Sequence, residues 1–324
     1  MSLLRSRYSG GMELEFIDWL RKHVPTDARA RLGLTDDAAV VSLSGRSEVV
    51  VTTDMLNDGV DFRLEVDDPR RIGRQALGVN LSDLAAMAAS PLAAVISLAL
   101  PRGNGGLAPL PLAIALYEGL LPLAKEFDIA IAGGDTNTYD GPLVISVTAL
   151  GQLTERGPLT RTGGRPGDWL LVTGSLGGSI LGHLFDFTPR VREAILLHER
   201  YELHAGIDIS DGLAIDSSRL ATASGCGAVI FVDHVPISAD AFRLTDQERA
   251  PDRVATALQH ALSDGQDFEL LIAAAPDISQ KILRDQPLDC PITHIGELVK
   301  ESGLWQQSKS AERTALKPIG WVHK

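Results

Sequence analysis

Five short clusters of acidic and hydroxyl side chains lie at the ends of apolar runs in this chain, usually beside glycine. A polar face used only for solubility would spread its carboxylates along helices instead. Several hard oxygen ligands in small-residue turns suit Mg²⁺ and a polyphosphate. The pattern therefore predicts a metal-dependent enzyme that handles phosphate. The clusters are Asp36-Asp37, Thr52-Thr53-Asp54, Ser82-Asp83, Gly133-Gly134-Asp135-Thr136 and Asp208-Ile209-Ser210-Asp211-Gly212.

Each cluster also has a structural explanation. Acids at strand ends often begin turns, and Asp211-Gly212 is typical of a helix cap. Asp83 is more informative, because it stands inside an otherwise apolar segment. A buried carboxylate there must be paired, capping or metal-bound, and metal binding is favoured. Strand geometry places Asp208 and Ser210 on one face, which favours metal and phosphate contacts.

Apolar periodicity predicts α/β structure on both sides of a Gly- and Pro-rich break at 154–168. We expect domains at 12–153 and 165–324. The predicted helices are Glu13–His23, Arg71–Ala89, Leu110–Phe127, Ser175–Leu184, Arg190–Tyr201, Gly212–Ser224, Asp252–Leu262 and Ile278–Arg284. The predicted strands are Ala38–Val41, Val49–Thr53 (with a turn at 44–46 between them), Leu92–Leu100, Ile129–Ala132, Leu143–Leu150, Trp169–Thr173, Ile207–Ile209, Ala228–Val232, Phe268–Ala273 and Ile292–Leu298.

The composition narrows the class of protein. The 324 residues carry a formal net charge of −12, which disfavours nucleic acid and anionic membranes as partners. The sequence contains no run of about 18 apolar residues, which is the length that a membrane span needs. The N-terminal segment lacks the apolar core of a signal peptide, and Cys226 and Cys290 form no metal or disulfide motif. We therefore expect a cytoplasmic protein.

Taken in order, the motifs resemble those of the thiamine-monophosphate kinase family, in the superfamily that includes aminoimidazole ribonucleotide synthetase. The resemblance extends from Glu13 to Val322. It implies two α/β (α+β) domains: an N-terminal mixed-sheet domain that pairs in a homodimer, and a C-terminal α/β sandwich. It also implies phosphorylation of thiamine monophosphate by ATP with several Mg²⁺ ions. The strongest matches are Asn80–Met87, Gly133–Thr136, Gly167–Gly174, Asp208–Leu213 and Ser263–Leu270.

The resemblance also implies roles for individual residues, and it assigns no general base. The implied metal ligands are Asp37, Thr52, Thr53, Asp54, Asp83, Asp135, Asp208 and Asp211. The implied ATP contacts are Tyr117, Gly134, Asp135, Arg161 and Ser210. The implied substrate contacts are Asp61, Gln266 and Trp321. Tyr117 also fits a core aromatic on an apolar helix, and Arg161 a surface loop arginine.

The chain departs from the family mainly on the acceptor side. The family often has His at the position of Asp61 and Glu at that of Gln266, and only Gly320 to His323 resembles its aromatic-rich tail. One alternative is therefore a related superfamily enzyme that uses ATP on a different phosphorylated small molecule. Another is a non-catalytic nucleotide- or metal-binding module. Such a module would be expected to lack some of the acids, whereas the main ones are all present.

Overall fold

The computed structural model describes residues 30–32, 36–43, 48–102, 107–309 and 312–321. The predicted helix Glu13–His23 and the predicted turn at 44–46 lie outside these ranges, as do the first residues of the predicted N-terminal domain. Within them, the structure is a mixed α/β fold with two mixed sheets, which confirms the predicted fold class.

In the described part of the chain, the first sheet has six strands in the order β1-β2-β3-β6-β4-β5, and only β4 and β5 pair in parallel. Buried and exposed residues alternate along β4, so one face of the sheet is covered and the other is open. Of the helices in the described residues, α1 and α2 belong to this half. The elements are β1 (Ala30–Leu32), β2 (Ala39–Ser42), β3 (Glu48–Asn57), α1 (Pro69–Ala86), β4 (Ser90–Pro101), α2 (Pro109–Glu126), β5 (Ala130–Tyr139) and β6 (Val144–Gln152).

Helix α1 begins where the sequence favours a helix start. The Asp68 side chain accepts a hydrogen bond from the Arg70 backbone N–H, and Pro69 occupies the first turn. Glycines then allow α1 and α2 to approach closely. A Cβ at Gly73 would lie 1.9 Å from the Leu116 carbonyl oxygen, and one at Gly119 would lie 1.7 Å from that of Arg70.

Among the residues that the structure describes, the second sheet has seven strands in the order β13-β12-β9-β11-β7-β10-β8, and only β9 and β12 pair in parallel. Its strands are β7 (Trp169–Thr173), β8 (Ala205–Asp208), β9 (Gly227–Phe231), β10 (Leu270–Ala274), β11 (Ile292–Val299), β12 (Leu304–Gln307) and β13 (Thr314–Ala315). Its helices are α3 (His183–Asp186), α4 (Val191–Arg200), α5 (Leu213–Ala223), α6 (Ala239–Glu248), α7 (Arg253–Ser263) and α8 (Pro276–Asp285).

The two faces of the second sheet belong to different cores. Leu170 and Val172 pack with residues of α5 and α7. Leu171 and Ile272 instead join the core of the first half, which includes Leu77 and Leu81 of α1. Helix α1 is therefore packed against both halves of the protein, and it can carry side chains to a site between them.

The predicted helix Ser175–Leu184 is wrong. Only a 3-10 turn at Ser179–Leu181 and the four-residue α3 form there. Gly177, Gly178 and Gly182 have φ angles of 90°, 75° and 131°, which a continuous helix does not allow. Sequence patterning also missed α6 and the short strands β12 and β13.

Candidate active site

Helix α1 places a carboxylate and a hydroxyl between the two halves. The Asp83 carboxylate accepts a short hydrogen bond from Thr52 on β3. The neighbouring Ser82 hydroxyl donates to Asp208 Oδ2, at the end of β8, over 2.5 Å. Successive helical residues point about 100° apart, so Ser82 and Asp83 can reach different sheets.

Three of the predicted ligands converge on one small volume. One oxygen each from Asp37, Asp83 and Asp208 lies within 4.8 Å of the others. These acids come from the segment before β2, from α1 and from β8, and Asp208 is only 2% exposed. A set of close carboxylate oxygens with adjacent hydroxyls matches the ligand preference of Mg²⁺. The residues present therefore fit the metal that the resemblance implies.

Burial raises the pKa values of these acids, and the charges of neighbouring acids raise them further. Burial raises the pKa of Asp54 to about 6, with further contributions from Asp61 and Asp211. Burial also raises the pKa of Asp83 well above its usual range, and the charges of Asp54, Asp208 and Asp37 add to the effect. The pKa of Asp208 is raised in the same way, by burial and then by Asp37. Carboxylates in such surroundings need a cation to remain ionised together.

Arg161 supplies a positive charge to one edge of the cluster. Its Nε donates to Asp37 Oδ2 over 3.0 Å, and its Nη2 makes a short bond to Asp37 Oδ1. Its backbone N–H also lies 3.2 Å from both carboxylate oxygens of Asp36. Burial and the neighbouring Asp37 raise the pKa of Asp36 to about 6. Sequence reasoning missed this role of Asp36, although its adjacency to Asp37 was visible.

A second arginine holds Asp211, and sequence reasoning missed it. Arg219 Nη1 donates to Asp216 Oδ1 over 2.8 Å and makes a short bond to Asp211 Oδ2. Asp216 Oδ2 accepts from the backbone N–H groups of Asp211 and Gly212, each at 3.0 Å. Asp216 therefore fixes the turn before α5. The sequence signals for this pairing are Asp216, four residues after Gly212, and Arg219, three residues after Asp216.

The three predicted substrate contacts lie beside these acids. The Asn57 backbone N–H donates to Asp61 Oδ2 over 2.7 Å, and the charge of Asp61 acts on Asp54. The Gln266 backbone N–H donates to the Ser210 carbonyl oxygen over 2.6 Å, with Gln266 at a φ of 56°. The Trp321 backbone N–H donates to the Asp211 carbonyl oxygen over 2.8 Å. The chain's C-terminal segment is thus attached to the turn that carries Ser210 and Asp211.

Two other predicted side chains, those of Thr53 and Asp135, lie on the open face of the first sheet, and Gly134 lies beside Asp135 on its edge strand. Thr53 follows Thr52 on β3, so its side chain points to the opposite face, where Thr148 Oγ1 donates to it over 3.0 Å. Gly134 and Asp135 lie on the edge strand β5 and are exposed, and the register pairs Asp135 with the exposed Ser97. The side chains of Thr53 and Asp135 are therefore not among the carboxylates gathered around Asp83.

Within a single chain, Tyr117 also lies far from the carboxylates gathered around Asp83. It is half-buried on α2, next to Glu118, which pairs with Arg70 over 2.6 Å. Arg70 is in the first turn of α1, and Asp83 is about 20 Å further along the same helix. Burial raises the pKa of the Tyr117 hydroxyl.

Family models match both halves of the chain. The AIR synthase related protein, N-terminal domain matches residues 35–153, and its C-terminal domain matches residues 165–304. The fold and the acidic site thus define an AIR synthase-related protein.

Comparison with individual relatives identifies the family within the AIR synthase-related class. Thiamine-monophosphate kinase of Rhodopirellula baltica is 40% identical over 96% of this chain and 97% of its own. The solved structure of AaThiL complexed with AMPPCP and TMP is 25% identical, with a TM-score of 0.79 over 95% of this chain and 96% of its own. Thiamine-monophosphate kinase from Stenotrophomonas maltophilia K279a is 32% identical, with a TM-score of 0.71 over 93% and 98%. The chain belongs to the thiamine-monophosphate kinase family.

Among the described residues, no helix combines the length and the apolar character that a membrane span requires.

Proposed function

We propose that this protein transfers the γ-phosphoryl group of ATP to thiamine monophosphate, giving thiamine diphosphate and ADP. The observation that carries the proposal is the convergence of Asp37, Asp83 and Asp208 oxygens from both halves of the protein. Family membership supports the choice of acceptor, and the match to a relative complexed with AMPPCP and TMP supports both substrates.

The reaction forms a bond from the γ-phosphorus to an acceptor phosphate oxygen and breaks its bond to the β,γ-bridging oxygen. The attacking oxygen is already anionic near neutral pH, so no general base is needed. The main obstacle is repulsion between two polyanions. Bound Mg²⁺ ions would neutralise phosphate charge and stabilise the charge of the transition state.

The protein's own residues hold and orient these groups. We assign Asp37, Asp54, Asp83, Asp208 and Asp211 as carboxylate ligands of several Mg²⁺ ions. The Thr52 and Ser82 hydroxyls fix the Asp83 and Asp208 carboxylates through the hydrogen bonds described above. Fixed ligands need little reorganisation when the nucleotide arrives, which lowers the barrier.

ATP is proposed to lie against Arg161 and Ser210, and the acceptor against Asp61, Gln266 and Trp321. Arg161 can offer a planar guanidinium to phosphate oxygens. The hydrogen bond from the Trp321 backbone N–H to the Asp211 carbonyl oxygen supports an acceptor side that lies beside the donor side.

We also propose that the open face of the first sheet pairs with a second copy of the chain. Exposed apolar side chains lie on this face beside Thr53 and the Asp135 edge, among them Met55 and Val95, which are 59% and 41% exposed. An apolar strand face of this kind is usually covered in a stable protein. Pairing would also place Thr53 and Asp135 near residues of the partner, with Gly134 beside them on the edge strand. A cytoplasmic location fits the use of ATP and the free thiols of Cys226 and Cys290.

The activity is tested by a coupled ADP assay in which acceptors are compared at fixed Mg²⁺ and ATP. We expect saturable ADP release with thiamine monophosphate and only background release with thiamine, which lacks the attacking phosphate. A panel of other phosphate monoesters tests the alternative of a related superfamily enzyme. Efficient turnover of one of these, without turnover of thiamine monophosphate, would refute the proposal. Binding of Mg²⁺ and ATP with no turnover of any acceptor would instead support a non-catalytic module.

A further inference from the structure

Arg219 contacts two acids with a single nitrogen, and these two acids differ in their exposure to solvent. Its Nη1 contacts both Asp211 Oδ2 and Asp216 Oδ1. The Asp216 side chain is 1% exposed, whereas the Asp211 side chain is 25% exposed and the Arg219 side chain 28%. One partner is therefore enclosed in the protein, and the other faces the site.

Asp216 is a permanent anchor for Arg219. Its second oxygen is used by the backbone N–H groups of Asp211 and Gly212, so Asp216 cannot leave without breaking the turn. It also lies one helical turn before Arg219 on α5, at a spacing that brings two side chains together. Arg219 can consequently release Asp211 while remaining bound to Asp216.

The bond between Arg219 and Asp211 competes with the proposed role of Asp211. Asp211 is one of the acids assigned to Mg²⁺, and a guanidinium on its Oδ2 occupies an oxygen that a cation would use. Arg161 stands in the same relation to Asp37. The charge of Arg161 acts on Arg219, so the two guanidinium groups lie near one another.

We propose that Arg219 is a counter-ion that Mg²⁺ displaces from Asp211, and that the displaced guanidinium then binds an anionic phosphate oxygen of the nucleotide. This inference rests on the proposed Mg²⁺ and ATP site. Without metal, Arg219 neutralises a carboxylate that would otherwise repel its neighbours. When metal binds, Arg219 keeps Asp216 and turns its remaining N–H groups toward the new negative charge. A planar guanidinium is well suited to that contact.

The proposal predicts opposite changes in two binding constants. We expect Arg219→Gln to tighten Mg²⁺ binding without nucleotide by about fivefold, because the competing cation is gone. The same variant should bind a nonhydrolysable ATP analogue with Mg²⁺ about tenfold more weakly, because a charged phosphate contact is lost. Isothermal titration calorimetry measures both. A purely structural role for Arg219 would not produce changes of opposite sign.

Two further variants make the test specific. Arg243→Gln is the matched control: Arg243 pairs with Asp240 over 2.7 Å at the same three-residue spacing on α6, away from the acids. It should leave both constants unchanged. Arg219→Lys keeps the charge, so it should keep Mg²⁺ binding near the wild-type value, and it provides a folded comparison if Arg219→Gln does not fold.

A measurement on the unmodified chain completes the test. The Nε–H NMR signal of Arg219, identified by its loss in Arg219→Lys, should shift when Mg²⁺ is added without nucleotide. The proposal would be overturned if this signal does not move, or if Arg219→Gln binds Mg²⁺ no more tightly than the wild-type protein. It would also be overturned if neither the wild-type protein nor Arg219→Gln binds Mg²⁺ without nucleotide. These measurements need no thiamine monophosphate, so they are independent of whether the ADP assay identifies that acceptor.

Discussion

The Ser82 hydroxyl donates to Asp208 Oδ2 over 2.5 Å and so joins helix α1 of the first half to strand β8 of the second. Ser82 is 1% exposed and Asp208 2% exposed, so the bond is shielded from water. Because Asp83 follows Ser82 directly, this bond also sets the distance between the Asp83 and Asp208 carboxylates. The proposed metal site therefore depends on a contact between the two domains.

Replacing Ser82 by Ala should weaken both the domain contact and the site. Loss of a buried hydrogen bond to a carboxylate costs about 2 kcal/mol. We expect the free energy of unfolding to fall by that amount and kcat to fall about tenfold. Denaturant titration and the ADP assay measure the two effects. Ser302→Ala, at an exposed position just before β12, is the control and should change neither.

Replacing Asp54 by Asn should separate activity from stability. The variant loses a proposed Mg²⁺ ligand, so turnover should fall about 100- to 1000-fold. It also loses a desolvated charge that Asp61 and Asp211 repel, so the metal-free protein should become more stable. Turnover and thermal unfolding without Mg²⁺ provide the measurements. Near-normal turnover would contradict the assignment of Asp54, and the exposed Asp140→Asn should be neutral in both.

The stability of the metal-free protein should rise as the pH falls from about 7 to about 4. Burial raises the pKa of both Asp36 and Asp54 from 3.8 to about 6. Between these values the folded state binds more protons than the unfolded state, so acid favours folding. The stabilisation is complete below the pKa that these carboxyls have in the unfolded state. It is lost as the pH rises through the pKa that they have in the folded state.

Each carboxyl contributes at most about 1.4 kcal/mol per pH unit within that window. Urea titrations at several pH values without metal measure the slope. Asp54→Asn should make the slope shallower, and saturating Mg²⁺ should reverse it, because metal binds the deprotonated carboxylates. A metal-free protein that becomes less stable as the pH falls through this range would contradict the raised pKa values of Asp36 and Asp54.

Replacing Gly73 by Ala should strongly destabilise the first domain. The new Cβ would lie 1.9 Å from the Leu116 carbonyl oxygen, which is backbone and cannot move without shifting α2. We expect a loss of about 3 kcal/mol, measured by denaturant titration. Gly78→Ala on the same helix is the matched control, because its Cβ would meet the Phe187 ring at 2.9 Å and a side chain can adjust. Equal losses in both variants would contradict this explanation.

Local patterns were sufficient for most of the fold. The predicted strand Trp169–Thr173 has the observed bounds, and most other elements, such as α2, differ by a few residues at their ends. The failure at 175–184 arose because an apolar spacing suggested a helix while three glycines imposed positive φ angles. Strands β12 and β13 were missed because they are short and carry little alternation.

The sequence by itself determined the chemistry of this protein: which oxygen-bearing residues are available, their position at element ends, and the family they indicate. Only the tertiary structure decided which of them meet. Arg161 reaches Asp37 across 124 residues, and Ser82 reaches Asp208 across 126. Thr52 and Thr53 are adjacent, yet they face opposite sides of β3. Periodicity describes a single segment, whereas these contacts depend on how α1 packs between two sheets, and no local pattern contains that information.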